Sequence, residues 1–241
     1  MSVTEQVGQE MAEGILVARG LEKVYRKEGQ QVAALRGVDL AIKEGEFVAI
    51  VGPSGSGKTT LLHILGTLDM PTSGHVLFKG QNLSSLDDLA LSAFRCRNLG
   101  FVFQAFNLIP ELRAWENVAL PLYYQGVSLR ERRERALAVL GQLGLADRAQ
   151  HYPSELSGGE EQRVAIARAL VSDPSVIMAD EPTGNLDSVT GEHVQELILS
   201  LNRERGITVV LVTHNLELAA LADRIVQIRD GLVVAGDGAM A

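Results

Sequence analysis

The feature of this chain that most constrains its fold is a loop rich in glycine and serine between two apolar stretches. Its residues are Gly52, Pro53, Ser54, Gly55, Ser56, Gly57, Lys58 and Thr59. The stretch before it, residues 46–51, is nearly continuous in apolar side chains, as is typical of a strand buried on both faces. The stretch after it, residues 59–65, has a broad apolar face at helical spacing. A buried strand that leads through a glycine loop into a helix predicts an α/β fold on a mostly parallel sheet.

The loop matches the phosphate-binding pattern G-x-x-x-x-G-K-[ST] in full. Its glycines let backbone N–H groups turn inward around a phosphate, and the following helix directs its positive end at the same anion. Lys58 is placed to reach the β- and γ-phosphates, and the Thr59 hydroxyl is placed to ligate Mg²⁺. The alternative, a surface turn rich in glycine and serine, leaves the flanking strand and helix unexplained. The loop therefore predicts an ATP site.

Two adjacent acids, Asp180 and Glu181, follow an apolar run at residues 175–179. A buried strand that ends in two acids places them at its carboxyl edge, where open α/β sheets bind ligands. Asp180 suits Mg²⁺, through a water molecule, and Glu181 suits a general base that polarises an attacking water. A solvated surface pair is the alternative, and the buried strand before the pair makes it the weaker one. We predict ATP hydrolysis with Glu181 as the base.

A third motif, Ser157, Gly158, Gly159 and Glu160, stands at the start of a helical pattern that covers residues 158–171. Its hydroxyl and backbone N–H groups at a helix start form another anion site. The alternative is that Ser157 is an ordinary helix N-cap. Ser157 can cap the helix as well, but capping alone does not explain the two glycines that follow it. Two phosphate sites in one chain predict that two copies meet head to tail, each nucleotide lying between one chain's loop and the other chain's Ser157.

Length, composition and charge limit the remaining classes. The 241 residues are 46% hydrophobic and 22% charged, the balance of a folded protein, and a net charge of −8 argues against a nucleic-acid partner. Cys96, the single cysteine, excludes an intrachain disulfide; Arg95 and Arg97 beside it favour a thiolate, although an incidental cysteine is the simpler interpretation. With neither a signal peptide nor an apolar span in the sequence, we expect a cytoplasmic protein. We also predict a flexible tail at residues 1–14, one domain at 15–241 and a helical subdomain at about 107–171.

Three stretches together resemble the nucleotide-binding subunit of an ABC transporter: residues 51–60, 156–170 and 180–187. The resemblance extends over about residues 15–235. It implies a P-loop ATPase core, an N-terminal antiparallel β subdomain and an inserted helical subdomain, and it adds Thr60 to the nucleotide-binding loop. Four further roles are implied. Tyr25 resembles the aromatic residue that stacks on adenine, Gln104 the glutamine that contacts Mg²⁺ and the attacking water, Asp187 the aspartate that communicates between subunits, and His214 the histidine that contacts the γ-phosphate.

Each of those single residues has an ordinary alternative. Tyr25 alone would be a half-buried strand aromatic, Gln104 a polar loop residue and His214 a satisfied histidine at a strand end. Their joint order along the chain favours the functional interpretation. Two positions depart from the family pattern: Glu160 stands where glutamine is common, and Asn215 stands where aspartate is usual.

Segments 68–74, 104–110, 115–118 and 184–187 are similar to the LolD/MacB group within that family. The resemblance implies a peripheral position at the inner face of the membrane, a homodimer, and a membrane permease with four spans and a large extracytoplasmic domain. We expect an apolar groove after Gln104 to dock that permease. About half of its residues should instead pack the subdomain core; the set is Phe106, Leu108, Ile109, Trp115, Leu120 and Leu122. The alternatives are a soluble ABC ATPase such as an iron–sulfur assembly factor, an amino-acid-type importer subunit, and a nucleotide-binding regulator without turnover.

Overall fold

The fold is described from a computed structural model, which describes residues 14–27 and 30–235. The predicted flexible tail lies outside the described residues except for Gly14. Within the described ranges, no helix is long and apolar enough to cross a membrane.

The regular elements follow one another in a mixed order of strands and helices. In chain order they are β1 (Leu16–Lys27), β2 (Gln30–Ile42), β3 (Phe47–Val51), α1 (Lys58–Leu65), β4 (Ser73–Phe78), β5 (Gln81–Asn82), α2 (Asp88–Asn98), β6 (Leu99–Phe103), α3 (Ala114–Tyr124), α4 (Leu129–Gln142), α5 (Gly158–Leu170), β7 (Val176–Asp180), α6 (Ser188–Arg205), β8 (Thr208–Val212), α7 (Leu216–Ala219), β9 (Arg224–Arg229) and β10 (Leu232–Ala235). Short 3₁₀ turns lie at Leu83–Ser85, Ala146–Arg148 and Pro153–Glu155.

The chain divides into two compact units. The first unit comprises residues up to 91 together with residues from 208 onward, and the second comprises residues 92–207. The first unit therefore holds the predicted phosphate loop, Tyr25 and His214. The second holds Gln104, Asp180, Glu181 and the Ser157 motif.

Two sets of strands form the first unit. Strands β2, β1, β4 and β5 make an antiparallel sheet in that order. Strand β3 lies between β8 and β9 and runs parallel to both, while β10 pairs antiparallel with β9. Strand β3 is buried along four of its five residues, and β8 is buried throughout, as their apolar sequences require. These pairings confirm the predicted α/β class with an N-terminal antiparallel sheet.

The second unit combines a parallel pair of strands with a helical layer. Strand β6 runs parallel to β7, and Phe103 lies opposite Asp180. Every element described between β6 and β7 is helical, the composition expected for the subdomain we propose at residues 107–171. Its core holds eleven buried apolar residues from α3, α4, α5 and the segments beside them. They are Ala114, Val118, Ala119, Leu122, Ala136, Leu140, Leu145, Ala149, Val164, Ala167 and Val171.

The surroundings of Cys96 favour a neutral thiol, in keeping with the simpler interpretation of an incidental cysteine. Burial of the side chain raises the pKa of its thiol, and this outweighs the opposite influence of Arg95 and Arg97. The residue is a half-buried thiol on α2.

Candidate functional site

The phosphate loop connects the carboxyl end of β3 to the first turn of α1. A pocket opens there, lined by Ala34, Gly55, Gly57, Lys58, Thr59 and Thr60. The Lys58 ammonium lies across the loop and donates to the carbonyl oxygens of Gly52 and Pro53, at 2.9 and 3.0 Å. Gly57 is the N-cap of α1 and has no side chain to occupy the helix start. The N–H groups in the first turn of α1 consequently point toward the pocket, and so does the positive end of the helix dipole.

Two glycines of the loop are required by close packing. A Cβ at Gly57 would lie 2.4 Å from the carbonyl oxygen of Ala34, and the backbone φ of Gly57 is +104°. A Cβ at Gly52 would lie 2.1 Å from the carbonyl oxygen of Ile228. The backbone of the loop is thus held against its neighbours where only glycine fits. Ser56 is buried beside it, and its hydroxyl has no hydrogen-bond partner among the described residues.

His214 lies at the same sheet edge as the phosphate loop. Strand β8 ends at Val212 opposite Ile50 of β3, and His214 follows as an exposed side chain. Thr213 fixes the turn between them, since its hydroxyl accepts a hydrogen bond from the N–H of Asn215. Asn215, the residue that departs from the family pattern, is the N-cap of α7 and accepts from two backbone N–H groups. An asparagine serves that capping role as well as an aspartate does.

Tyr25 lies in the same unit, on β1, and is 39% exposed. Its hydroxyl donates to the Asp69 carboxylate at 2.8 Å. Burial and Asp69 raise the pKa of this hydroxyl, and the Thr60 side chain, in the first turn of α1, acts in the opposite direction. The structure therefore brings Tyr25 and the phosphate loop of the first unit together.

In the second unit, Gln104, Asp180 and Glu181 meet at one edge of the β6–β7 pair. Phe103 and Asp180 lie opposite each other in the last positions of the two strands, and Gln104 and Glu181 follow them. Glu181 has a left-handed backbone with φ of +47°, an uncommon conformation for a side chain of its type. The turn is closed by a bond from the N–H of Gly184 to the Glu181 carbonyl. Backbone strain of this kind concentrates at functional sites.

Gln104 is held by Asn185, a contact that the sequence did not reveal. The Gln104 side-chain amide donates to the Asn185 Oδ1 at 3.1 Å, and the Asn185 amide donates to the Gln104 carbonyl at 2.9 Å. Gly184 makes room for this pair, because a Cβ there would lie 2.7 Å from the Gln104 Nε2. The buried Gln162 side chain donates to the carbonyl of Pro182, the residue after Glu181. The Asp180–Asp187 segment is thus held at two places by amide side chains, at Asn185 by Gln104 and at Pro182 by Gln162.

The Ser157 motif forms a complete capping box at the start of α5. The Ser157 hydroxyl accepts from the Glu160 N–H, and the Glu160 carboxylate accepts from the Ser157 N–H at 2.8 Å. The other oxygen of Glu160 pairs with Arg148 at 2.8 Å. Hydrogen bonds from the Ser157 backbone, and then from Arg148, lower the pKa of Glu160 to about 2. Glu160 therefore stays ionised and holds Ser157, which is exposed at the helix start.

Packing gives Gly159 a second reason to be glycine. A Cβ at Gly159 would lie 2.2 Å from the Thr190 Cγ2 on α6, whereas a Cβ at Gly158 would meet ordinary contacts of 3.6 Å or more. The expectation that both glycines mark an anion site is therefore too simple for Gly159, which also lets α5 approach α6. Asp187, the N-cap of α6, accepts from the Thr190 N–H and hydroxyl, and those bonds lower the pKa of its carboxyl.

The loop that follows Gln104 is held by Arg168 and Asn117. Phe106 and Asn107 both have left-handed backbones, and the Arg168 guanidinium donates to their two carbonyl oxygens. The buried Asn117 side chain binds the backbone of Ile109 through both its oxygen and its nitrogen. The conformation after Gln104 is thus set by side chains of the helical layer.

The six apolar residues predicted to form a docking groove differ in their burial. Leu122 is fully buried, and Leu108 and Trp115 pack against the helical core. Ile109 is 40% exposed. A surface pocket on α3 and α4 is lined by Leu112, Trp115, Glu116, Ala119, Leu120, Tyr123, Leu129 and Arg132.

Comparisons with known proteins give the family. Residues 35–184 match the family described as ABC transporter. The chain is 50% identical to the lipoprotein-releasing system ATP-binding protein LolD of Syntrophus aciditrophicus, over 91% of this chain and 99% of that protein. It is 48% identical to the macrolide export ATP-binding/permease protein MacB 2 of Aeromonas hydrophila, over 95% of this chain but only 35% of that protein.

Among solved structures, the dimeric ATP-binding cassette MJ0796, in a post-hydrolysis state with ADP and Pi, matches with a TM-score of 0.86. The two proteins are 47% identical, and the match covers 94% of this chain and 99% of that one. The similarity to LolD and MacB inferred from the motifs is confirmed. This chain belongs to the ABC transporter family, as one of its ATP-binding subunits.

Proposed function

We propose that the chain is the ATP-hydrolysing subunit of a membrane transporter of the LolD/MacB type. The observation that carries this proposal is the pocket at the start of α1, where Lys58 and the uncapped helix start present positive charge to a phosphate. The 50% identity to LolD over nearly the full length of both proteins supports the transporter assignment. ATP is the substrate that this loop and the Tyr25 ring together suit.

Three consecutive side chains, those of Lys58, Thr59 and Thr60, take part in binding the triphosphate. The Lys58 ammonium exchanges its loop carbonyl partners for the β- and γ-phosphate oxygens. The Thr60 and Thr59 hydroxyls lie in the first turn of α1, beside its N–H groups. The charge of the triphosphate is thereby neutralised by one cation and a helix dipole.

Mg²⁺ fits the donors that the motifs supply. The Thr59 hydroxyl, the Asp180 carboxylate and the Gln104 amide are oxygen ligands, the kind that Mg²⁺ prefers. Among the described residues, no cluster of three or more His, Cys, Asp or Glu side chains could hold a metal by itself. A cation that is shared with ATP phosphates and keeps water ligands matches this sparse set. It would neutralise charge on the β- and γ-phosphates.

Glu181 is the proposed general base, and its strained backbone sets the direction of its carboxylate. The base takes a proton from the water that attacks the γ-phosphorus. Gln104 orients that water, and His214 and Lys58 stabilise charge on the departing γ-phosphate. The two hydrogen bonds with Asn185 define the position of the Gln104 side chain.

We propose a head-to-tail homodimer in which Ser157, Gly158 and Gly159 of one chain close the nucleotide site of the other. The exposure of Ser157 at a helix start supports this, since an anion outside its own chain can reach that end of the helix. The MJ0796 cassette, which is 47% identical, is dimeric with ADP and Pi. ATP binding closes the dimer and hydrolysis reopens it.

The proposed membrane partner is a permease with four spans and a large extracytoplasmic domain, which holds this chain at the inner face of the membrane. The partly exposed apolar residues after Gln104 suit a partner helix, and Arg168 joins their loop to the Ser157 helix. Replacing Phe106 and Leu108 together by alanine should abolish stimulation of ATPase by the permease. Unchanged stimulation would refute this docking role.

Phosphate release by the purified chain tests the function itself. The wild-type protein should release phosphate from ATP with Mg²⁺, and Lys58→Ala should not. Affinity capture of the chain from detergent-solubilised membranes should recover an integral membrane protein. Recovery of soluble proteins only would favour a soluble ABC ATPase, and absence of phosphate release would favour a regulator without turnover.

A further inference from the structure

The aromatic side chain of Tyr25 is held by two charged residues, Lys23 and Asp69. The Lys23 ammonium pairs with the Asp69 Oδ1 at 2.6 Å and lies 4.9 Å from the centroid of the Tyr25 ring. The Tyr25 hydroxyl donates to the other carboxylate oxygen of Asp69 at 2.8 Å. The three side chains therefore close a cycle: ammonium to carboxylate, carboxylate to hydroxyl, ring to ammonium.

Further bonds anchor this cycle to the backbone. Lys23 also donates to the carbonyl of Met70 at 2.6 Å, and Asp69 accepts from the Met70 N–H at 2.7 Å. The Lys23 side chain is only 13% exposed, and that of Asp69 is 30% exposed. Because three polar side chains restrain one another in this partly buried place, the ring has little freedom to rotate.

The charges of the cycle are complementary. Burial alone would raise the pKa of Asp69, but the hydrogen bonds from Lys23 and Tyr25 lower it below its ordinary value. Partial burial and the bond to Asp69 raise the pKa of the Tyr25 hydroxyl. At neutral pH the cycle thus contains a carboxylate, an ammonium and a neutral phenol, each in the form that its partners require.

The cation also decides which face of the ring a base can use. Lys23 lies over one face of Tyr25, so a stacked base must use the opposite one. An ammonium over one face draws π-electron density toward itself, which makes the other face a better platform for an electron-rich purine. The Thr60 side chain, in the first turn of α1, lies close enough to influence the pKa of the same tyrosine hydroxyl, so the ring and the phosphate loop are neighbours.

We propose that Lys23 and Asp69 are positioning residues of the nucleotide site, which hold the Tyr25 ring so that its uncovered face receives the base. This inference rests on the proposed role of Tyr25 in stacking on adenine. Neither residue lines the pocket at the phosphate loop, so both act on binding of the base and leave the chemical step unchanged. Their loss should raise KM for ATP without lowering kcat.

The test compares KM for ATP, kcat, and inhibition by inorganic tripolyphosphate, which has no base. We expect Asp69→Ala to raise KM about tenfold, equivalent to about 1.4 kcal/mol, with kcat within twofold and tripolyphosphate inhibition unchanged. Asp69→Asn, which can still accept from the tyrosine hydroxyl, should restore part of the affinity. Tyr25→Phe should raise KM as Asp69→Ala does, and the double variant should be no worse than either.

The matched control is Glu44→Ala. It removes an ion pair of similar length with Lys79, at 2.8 Å, on the exposed surface of the same unit. This control should leave all three quantities unchanged.

The outcomes separate this inference from the function on which it rests. If Tyr25→Ala leaves KM for ATP unchanged, base stacking on Tyr25 is wrong. The positioning role of Lys23 and Asp69 then has no basis. If Tyr25→Ala raises KM but Asp69→Ala and Tyr25→Phe do not, stacking stands and the positioning role is wrong. If Asp69→Ala weakens tripolyphosphate inhibition as much as ATP binding, the residue has a structural role only. Lys23→Met then repeats the test, because it keeps the packing of the aliphatic part of the lysine side chain and leaves the bond from the Met70 N–H to Asp69 in place. An unchanged KM for ATP in this variant would likewise overturn the proposal.

Discussion

Replacing Arg168 by methionine should loosen the loop that follows Gln104. The Arg168 guanidinium donates to the carbonyl oxygens of Phe106 and Asn107, whose φ angles are +57° and +52°. Left-handed backbones in such residues cost ~1–3 kcal/mol each, so they persist only where other contacts hold them. Burial lowers the pKa of Arg168 to about 10, which leaves it charged at neutral pH.

The size of the effect follows from those two bonds. A hydrogen bond from a charged donor contributes ~1.5–3 kcal/mol, and relief of the buried charge offsets part of the sum. We expect Arg168→Met to lower the free energy of unfolding by about 3 kcal/mol, and Arg168→Lys, which retains the charge but not the forked geometry, by about half of that.

Denaturant unfolding measures the free energy of unfolding, and amide hydrogen exchange of residues 105–109 reports on the loop. The control is Arg130→Met, which breaks an exposed pair with Glu134 and should cost no more than ~0.5 kcal/mol. The reasoning is refuted if Arg168→Met costs less than ~1 kcal/mol and exchange of the loop stays at its wild-type rate.

Three further predictions concern separate contacts. Gly159→Ala should destabilise the fold by ~1–3 kcal/mol in denaturant unfolding, because its Cβ would lie 2.2 Å from Thr190, whereas Gly158→Ala should cost much less. Gly184→Ala should displace the Gln104 amide and lower kcat tenfold to about 100-fold at unchanged melting temperature. Glu160 has a folded pKa of about 2, below the unfolded value, so its contribution is full above about pH 5 and is lost as pH falls toward 2. The stability difference between wild type and Glu160→Gln should therefore shrink over that range; a constant difference would contradict the cause assigned to the shift.

The sequence predicted the elements whose signals are local. Strand β3 and helix α1 lie within a residue of their predicted positions, because a continuous apolar run and the glycines after it specify both without help from distant residues. The Asp230-Gly231 turn between β9 and β10 has a signal of the same local kind, since Asp-Gly favours a hairpin turn.

Elements that depend on distant partners were missed or shortened. Strand β1 extends from Leu16 to Lys27, and its polar second half is not an apolar strand pattern, because that half gains its hydrogen bonds by pairing with β2. Helix α3 contains Pro121, a residue that normally argues against a helix interior. Its apolar face is buried against α4 and α5, and tertiary packing overrides the local preference.

The same limit applies to the site. Motif order identified the residues that chemistry requires, but not the side chains that hold them. Lys23 and Asp69 are 46 positions apart, and Gln104 and Asn185 are 81 apart. Asp69 and Asn185 lie inside segments that mark the LolD/MacB group, and that was their only signal in the sequence.

Glu181 is proposed to activate the water that hydrolyses ATP within a dimer of this chain. Size-exclusion chromatography with light scattering, run with ATP and Mg²⁺ beside a phosphate-release assay, tests it on Glu181→Gln. The variant should bind ATP, release almost no phosphate and elute as a dimer, while Lys58→Ala should remain a monomer. A Glu181→Gln protein that stays monomeric and releases phosphate at the wild-type rate would contradict the account.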